Sequence, residues 1–173
     1  MSIPKTSIVN SIRLSEKLKC YAEMYKLKLT SFVVISAIMG YFIGGASFNI
    51  TELILLVIGG FFITCTSNAL NQVIEKDHDK LMKRTMTRPL PQNKLSVKEV
   101  VWVSSILGVI GIAMLSMLNP LTGTLGALAI LMYVALYTPL KRISTVSVFV
   151  GAFPGAFPPM LGWVAAKGTF DVY

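Results

Sequence analysis

The sequence has 173 residues, of which 54% are hydrophobic and 14% are charged, and its formal net charge is +8. A soluble globular domain usually carries about 25% charged residues, so this composition favours a chain embedded in a lipid bilayer. The 16 basic residues fall in a few blocks between long uncharged runs, which argues against nucleic acid as a partner and favours anionic lipid or a phosphorylated substrate.

Residues 1–28 form a polar, amphipathic N-terminal segment that we predict to lie at the membrane interface. Apolar side chains recur there near helical spacing, with basic residues between them, which is typical of an interfacial helix. These apolar residues are Ile8, Ile12, Leu18, Tyr21 and Tyr25. The last four residues, 25–28, either continue this anchor or face a substrate phosphate. We expect the apolar run that follows to be a retained membrane span, because no cleavage pattern accompanies it.

Five apolar runs approach the length of about 20 residues that a helix needs to cross a bilayer. They cover residues 29–46, 53–70, 97–118, 121–137 and 146–166. Asn119-Pro120 predicts a tight turn that makes the third and fourth runs an antiparallel hairpin. The fifth run holds Gly151, Pro154, Gly155, Pro158 and Pro159. It is either a broken helix that lines a cavity or a kinked helix that packs through its small residues. The predicted fold over residues 29–173 is an all-α, polytopic membrane helical bundle.

The basic residues predict which side of the membrane each loop occupies, because cytoplasmic loops retain positive charge. With the N-terminus inside, the loop of residues 71–98 and the short loop after the fourth span are also cytoplasmic. Of the basic residues, Lys167 alone then lies outside. The predicted location is a bacterial cytoplasmic (inner) membrane.

Three oxygen-bearing side chains follow the second span at intervals of four residues: Asn71, Glu75 and Asp79. If the helix continues past its apolar part, they drift by only ~80° around the axis and form one stripe. Mg²⁺ binds carboxylate and amide oxygens and keeps its remaining positions for water and phosphate. We therefore predict that this stripe binds Mg²⁺ together with a diphosphate. Asp77 lies off the stripe and is predicted to be solvated or paired with a lysine.

A basic segment downstream supplies charge of the opposite sign. Lys80, Lys83, Arg84 and Arg88 are placed to neutralise phosphate oxygens that a metal leaves uncovered. Pro89 and Pro91 are predicted to end the helix and to begin a loop that folds over the site. His78 either faces solvent or takes part in heme or proton handling. The alternative for this stretch, from the oxygen-bearing stripe to the prolines, is an ordinary polar loop. Its positive charges would then reflect only the tendency of cytoplasmic loops to retain lysine and arginine.

These residues resemble a known family, the UbiA-type intramembrane prenyltransferases. Asn71-x3-Glu75-x3-Asp79 resembles the family's Asn-x3-Asp-x3-Asp motif at the end of the second transmembrane helix, with glutamate in the middle position. Three longer strings are similar to the heme O synthase (protoheme IX farnesyltransferase) branch. They are DKLMKRTMTRPLP at 79–91, YTPLKR at 137–142 and GAFPGAFPPMLGW at 151–163. One departure is Ser147, which stands where many members have asparagine.

The resemblance implies nine transmembrane helices around a central cavity, with two aspartate-rich loops above it. It further implies diphosphate contacts from Lys83, Arg84, Arg88, Lys141 and Arg142, with Asn71, Glu75 and Asp79 as catalytic Mg²⁺ ligands. Because the second acidic loop does not occur in these residues, we expect a fragment of a longer protein that is inactive by itself.

The implied reaction transfers the farnesyl group of farnesyl diphosphate to a vinyl group of heme b, giving heme O. A heme A synthase is an implied partner. Two alternatives remain: a sister prenyltransferase acting on a quinone precursor or a chlorin, and a helical transporter or membrane scaffold.

Overall fold

The protein is described by a computed structural model over residues 13–141, 143 and 145–170, and all its regular elements there are helical. The helices are α1 (Leu14–Met24), α2 (Leu27–Ile43), α3 (Ile50–Asp79), α4 (Val97–Ser116), α5 (Pro120–Leu131), α6 (Thr138–Leu140) and α7 (Ser147–Lys167). A π-helical segment, Met132–Tyr137, joins α5 to α6. The predicted all-α class is confirmed. Of the predicted interfacial residues, Ile8 and Ile12 lie outside the described range.

Four helical stretches are long and apolar enough to cross a membrane: α3, α4, the stretch Pro120–Leu140 and α7. Helix α2 has 17 residues and reaches that length only together with α1, from which it is bent by 51°. The described residues therefore supply four or five spans, in agreement with the five predicted. Asn119 caps α5 by accepting a 2.8 Å hydrogen bond from the Thr122 amide, as expected for the predicted hairpin turn.

Helix α3 continues beyond its apolar part, as the stripe of Asn71, Glu75 and Asp79 requires, but it ends earlier than predicted. Its last residue is Asp79, and not the residue before Pro89, so this part of the prediction is wrong. The hydroxyl of Thr85 donates a 3.1 Å hydrogen bond to the Asp79 carbonyl. It replaces an amide donor that another helical turn would have provided. Residues 80–96 then form a series of turns.

The bundle is held by close approach of helix backbones at glycines. A Cβ added to Gly162 of α7 would lie 1.9 Å from the Ala37 carbonyl oxygen of α2, and one added to Gly40 would lie 2.0 Å from the Pro159 carbonyl oxygen. Helices α3 and α4 are antiparallel neighbours, and Thr66 Oγ1 donates to the Ser104 carbonyl at 2.9 Å. Such contacts favour small residues because lipid provides no hydrophobic force between helices.

Both predicted alternatives for α7 are partly correct. The helix is continuous from Ser147 to Lys167, so it is not broken. Gly151 packs against the Tyr137 ring, where an added Cβ would be 2.7 Å from Cε2. Gly155 instead faces open space and lines a cavity.

A cluster of buried side chains lies at the end of the bundle where α3 ends. Buried residues of α1 and of the 80–96 loop pack there on the ends of α3 and α4: Cys20, Met24, Ala69, Leu90, Leu95 and Val100. Helix α1 is also tied to α4, because Lys17 forms a 2.7 Å ion pair with Glu99. Leu14 and Leu18 remain exposed on its other face. The loop is thereby packed over the end of α3, beside the predicted stripe.

Candidate functional site

The three stripe residues lie on one face of α3 and are buried: Asn71 is 2%, Glu75 is 9% and Asp79 is 4% exposed. Asn71 Nδ2 donates a 3.0 Å hydrogen bond to Glu75 Oε2. The amide oxygen of Asn71 is therefore turned away from Glu75, and it accepts a 2.9 Å hydrogen bond from Thr138 Oγ1. The predicted alignment of the three side chains is present in the structure.

Two of the predicted phosphate-binding cations contact the stripe directly. Lys141 Nζ lies 2.7 Å from Glu75 Oε1 and 3.4 Å from Asn71 Oδ1. Arg88 Nη1 lies 2.8 Å from Asp79 Oδ2. Since burying a carboxylate without a partner of opposite charge is costly, each acid of the stripe is matched by one cation. The side chains of Lys141 and Arg88 stay partly exposed, at 28% and 21%.

Lys26, between α1 and α2, brings a third cation to the same cluster. Burial lowers the pKa of Lys26, the charges of Arg88 and Lys141 lower it further, and Glu75 and Asp79 raise it. In the described part of the chain its ammonium group forms no ion pair. That residues 25–28 face a phosphate stays a prediction. Lys26 is the residue of this segment whose charge interacts with the cluster.

The backbone at Lys26 has an unusual conformation, with φ of 50° in the left-handed region, which costs a non-glycine residue roughly 1 kcal/mol. Polar side chains from α3 fix the neighbouring carbonyl groups. Gln72 Nε2 donates to the Met24 carbonyl at 2.9 Å, and Asn68 Nδ2 donates to the Tyr25 carbonyl at 3.2 Å. Strain of this kind persists where surrounding contacts determine the conformation, and it is frequent at functional sites.

An apolar cavity of about 290 Å³ lies beneath the charged cluster, between α2, α3, the π-helical segment and α7. Tyr133 and Tyr137 line it, with their ring centroids 5.3 Å apart. Lys141 Nζ sits 5.4 Å from the centre of the Tyr137 ring. The hydrogen bond from Thr138 to Asn71 places the charged cluster at the mouth of this cavity.

The donor set at the stripe fits Mg²⁺, which is commonly bound by one or two carboxylates together with phosphate oxygens. It offers the amide oxygen of Asn71 and the carboxylates of Glu75 and Asp79. Among the described residues no group of three or more His, Cys, Asp or Glu side chains converges. A cation held here would therefore take its other ligands from water, from a substrate or from protein outside the described residues.

Of the other predicted residues, those within the described ranges do not join the cluster. Lys83 and Arg84 are exposed, so a contact with phosphate stays a prediction for both. Arg142 lies outside the described residues. His78 is exposed. Asp77 is paired with Lys80 at 3.0 Å, as predicted.

Asn68 and Tyr133 were not singled out from the sequence, and Tyr137 and Thr138 appear there only within the string YTPLKR, without a role. A usable signal was present, since Tyr133, Tyr137 and Lys141 recur every four residues, as Asn71, Glu75 and Asp79 do. The π-helical segment that carries the tyrosines has no comparable signature, although such segments often occur at functional sites.

Comparison with solved structures shows the same fold in other membrane proteins. A structure of digeranylgeranylglyceryl phosphate synthase matches with a TM-score of 0.81 and 24% identity, covering 88% of this chain and 54% of that chain. A UbiA homolog from Archaeoglobus fulgidus matches with a TM-score of 0.74 and 16% identity, covering 88% of this chain and 56% of that chain. At these identities the likeness shows the fold alone.

Comparison with curated sequences gives higher identities. The protoheme IX farnesyltransferase of Christiangramia forsetii is 46% identical over 152 residues, covering 88% of this chain and 51% of that protein. The mitochondrial protoheme IX farnesyltransferase of Arabidopsis thaliana is 39% identical over 156 residues. The chain spans about half the length of the first of these relatives. The model of the UbiA prenyltransferase family matches residues 33–173, and the chain belongs to that family.

Proposed function

We propose that the protein transfers a farnesyl group from farnesyl diphosphate to a vinyl group of heme b, giving heme O. The proposal rests on one juxtaposition: the oxygen ligands of α3 meet two cations, Arg88 and Lys141, above an apolar cavity. Lys26 lies near enough for its charge to interact with the same groups. The names of the curated relatives support farnesyl and heme as the substrates. A transporter would more commonly place its charges near the membrane midplane.

Diphosphate recognition is assigned to the charged cluster. The guanidinium of Arg88 and the ammonium groups of Lys26 and Lys141 would neutralise phosphate oxygens, and Asn71, Glu75 and Asp79 would hold Mg²⁺. A UbiA homolog of the same fold was solved with DMAPP and Mg²⁺ bound, which supports this pairing. When bound, Mg²⁺ supplies Lewis-acid stabilisation of the departing diphosphate.

The allylic C–O bond then breaks, and its electron pair leaves with the diphosphate. The carbocation forms at the upper end of the cavity, where the faces of Tyr133 and Tyr137 stabilise positive charge. The apolar wall excludes bulk water, which would otherwise capture the cation. The vinyl group of heme b attacks and forms a C–C bond. Water adds to the resulting heme-side cation and loses a proton, which completes the hydroxyethylfarnesyl side chain.

We also propose a membrane orientation. Lys141 and the 80–96 loop lie at one end of the bundle, since Lys141 pairs with Glu75, while Lys167 ends α7. Because cytoplasmic loops retain positive charge, we assign the end with Lys141 and the 80–96 loop to the cytoplasm of a bacterium. The diphosphate site then faces the compartment that holds soluble diphosphates.

The carboxylates of Glu75 and Asp79 are predicted to be essential for turnover and of minor importance for folding. In a version of the enzyme with the full length of its relatives, Glu75→Gln and Asp79→Asn should each lower heme O formation by roughly a hundredfold or more, because charge stabilisation at the leaving group is lost. Folding should be affected much less than turnover, because the cations left without a partner, Lys141 and Arg88, are partly exposed and stay solvated.

Heme O is measured by mass spectrometry and stability by thermal unfolding in detergent. Asp77→Asn is the matched control, since Asp77 is exposed on the same helix and off the stripe. Near-normal turnover of both Glu75→Gln and Asp79→Asn would remove the metal assignment.

Lys26 is predicted to make diphosphate affinity sensitive to alkaline pH. Its lowered pKa means that it loses its charge at a lower pH than an ordinary lysine. The affinity for inorganic diphosphate with Mg²⁺ should therefore fall as the pH rises. Lys26→Arg should hold the affinity to higher pH because arginine stays charged.

Binding is measured by calorimetry from neutral to alkaline pH, with Lys28→Arg as the control, because Lys28 is exposed on the next turn. Identical profiles for Lys26→Arg and the unmodified protein would show that Lys26 does not contact the diphosphate.

The proposed orientation predicts that a cysteine at position 83 and one at position 167 are labelled from opposite faces of the membrane. Cys20 and Cys65 are first replaced by serine, and sealed vesicles are treated with an impermeant maleimide. Lys83→Cys should react only from the cytoplasmic face and Lys167→Cys only from the outer face. Labelling of position 83 from outside would overturn the orientation.

A further inference from the structure

Helix α3 lines the apolar cavity with one face over more than two turns. The lining residues of this face are Gly60, Ile63, Thr64, Ser67 and Asn68. From Asn68 to Gly60 the helix axis covers ~12 Å, and from Asn71 it covers ~16 Å. This depth is comparable to an extended chain of three isoprene units. Thr64 Oγ1 donates to the Gly60 carbonyl at 2.8 Å, so its polar atom is satisfied within α3 and the wall stays apolar.

Gly60 differs from its neighbour Gly59 in what surrounds it. A Cβ added at Gly59 would lie 2.9 Å from Leu115 Cδ2, whereas one added at Gly60 would have no atom of the described residues within 4 Å. Packing between helices therefore explains Gly59 but not Gly60. A glycine inside a helix is less stable than alanine by roughly 0.5–1 kcal/mol, so its presence at an unpacked position is explained by the space it leaves.

Gly155 of α7 is also a cavity-lining glycine without close neighbours, and it lies nearer the charged cluster than Gly60 does. A Cβ added there would have no atom of the described residues within 4 Å. Its helix turn lies directly below Gly151, which contacts Tyr137. Both glycines have ordinary helical φ values, unlike Gly45 and Gly168. The two open glycines of the described helices thus both border this cavity.

The far end of the cavity is closed by tight packing. Ala37 of α2 and Leu161 of α7 line it and belong to the buried core together with Ile63 and Phe157. The backbones of α2 and α7 touch at this level, where Gly162 meets Ala37. Between α2 and α7 a chain cannot extend past this contact without separating the two helices, so the space at Gly60 is the last that the described helices offer along this wall.

We infer that Gly60 sets the length of the prenyl chain that the protein accepts, as a specificity-determining residue at the closed end of the cavity. This inference rests on the proposed prenyl diphosphate substrate. A larger side chain at position 60 shortens the space by about one isoprene unit. Longer chains then lose burial or must displace packed side chains, whereas shorter chains are unaffected. A side chain of the same size at position 155 obstructs the cavity nearer the diphosphate and excludes every length.

The experiment measures binding of three non-hydrolysable prenyl thiolodiphosphates, geranyl, farnesyl and geranylgeranyl, to the full-length protein in nanodiscs with Mg²⁺. Gly60→Leu should weaken farnesyl binding roughly tenfold or more, as expected when part of a chain no longer fits an apolar pocket. It should leave geranyl binding within about twofold. Gly155→Leu should weaken all three. Ile58→Phe is the matched control, because Ile58 is exposed on the same helix.

Gly60→Ala provides a second variant, which should fold in any case because its methyl group meets no atom. It should produce a smaller shift in the same direction. Parallel losses for geranyl and farnesyl in Gly60→Leu and Gly60→Ala, or no change in either, would overturn the assignment of Gly60 while leaving the proposed function intact. Failure of the unmodified protein to bind any prenyl thiolodiphosphate more tightly than inorganic diphosphate would overturn both.

Discussion

Two carboxylates, Glu75 and Asp79, are buried at the end of a helix that crosses the membrane, and the rest of the site depends on how their charge is compensated. An isolated buried carboxylate would be too costly to stay ionised. Lys141 pairs with Glu75 from beyond the π-helical segment, and Arg88 pairs with Asp79 from the loop after α3. These contacts bring elements from three parts of the chain to one end of the bundle. The Arg88 contact adds an ion pair to the apolar packing of Leu90 and Leu95 that holds the 80–96 loop over α3.

The elements that bring the cations there depart from regular geometry. The π-helical segment carries both tyrosines to the cavity and leads directly to Thr138, whose hydroxyl bonds Asn71. Lys26 adopts a left-handed conformation that buried amides of α3 hold in place. The side-chain amide nitrogens of Asn68 and Gln72 are satisfied by backbone carbonyls beside Lys26, whereas the buried Gln72 Oε1 accepts no hydrogen bond from the described residues. The irregular segments are therefore concentrated at the site, and the spans below it are regular helices packed through glycines.

Much of this arrangement is predictable from simple periodicity. The four-residue spacing of Asn71, Glu75 and Asp79 places them on one face, and the pairing of Asp77 with Lys80 follows from its position off that face. The sequence predicts the end of α3 nine residues too late, because the prolines at 89 and 91 are strong local signals, whereas the Thr85 hydrogen bond at the actual end is not. Which basic residues reach the acids depends on tertiary contacts. Arg88 and Lys141 pair with them, and Lys83 does not, although the sequence presents all three alike. The spacing of Tyr133, Tyr137 and Lys141 places them on one helix face, but it does not show that this face borders a cavity.

The central claim is that the α3 stripe and its cations hold one Mg²⁺–diphosphate unit above the cavity. The most direct measurement replaces Mg²⁺ by Mn²⁺ in the full-length protein and records phosphorus ENDOR with bound farnesyl thiolodiphosphate. The account predicts a resolved coupling between phosphorus and Mn²⁺ that is lost when Asn71 and Glu75 are both replaced by alanine. Mn²⁺ bound without any phosphorus coupling, or a coupling that persists in the double variant, would contradict it.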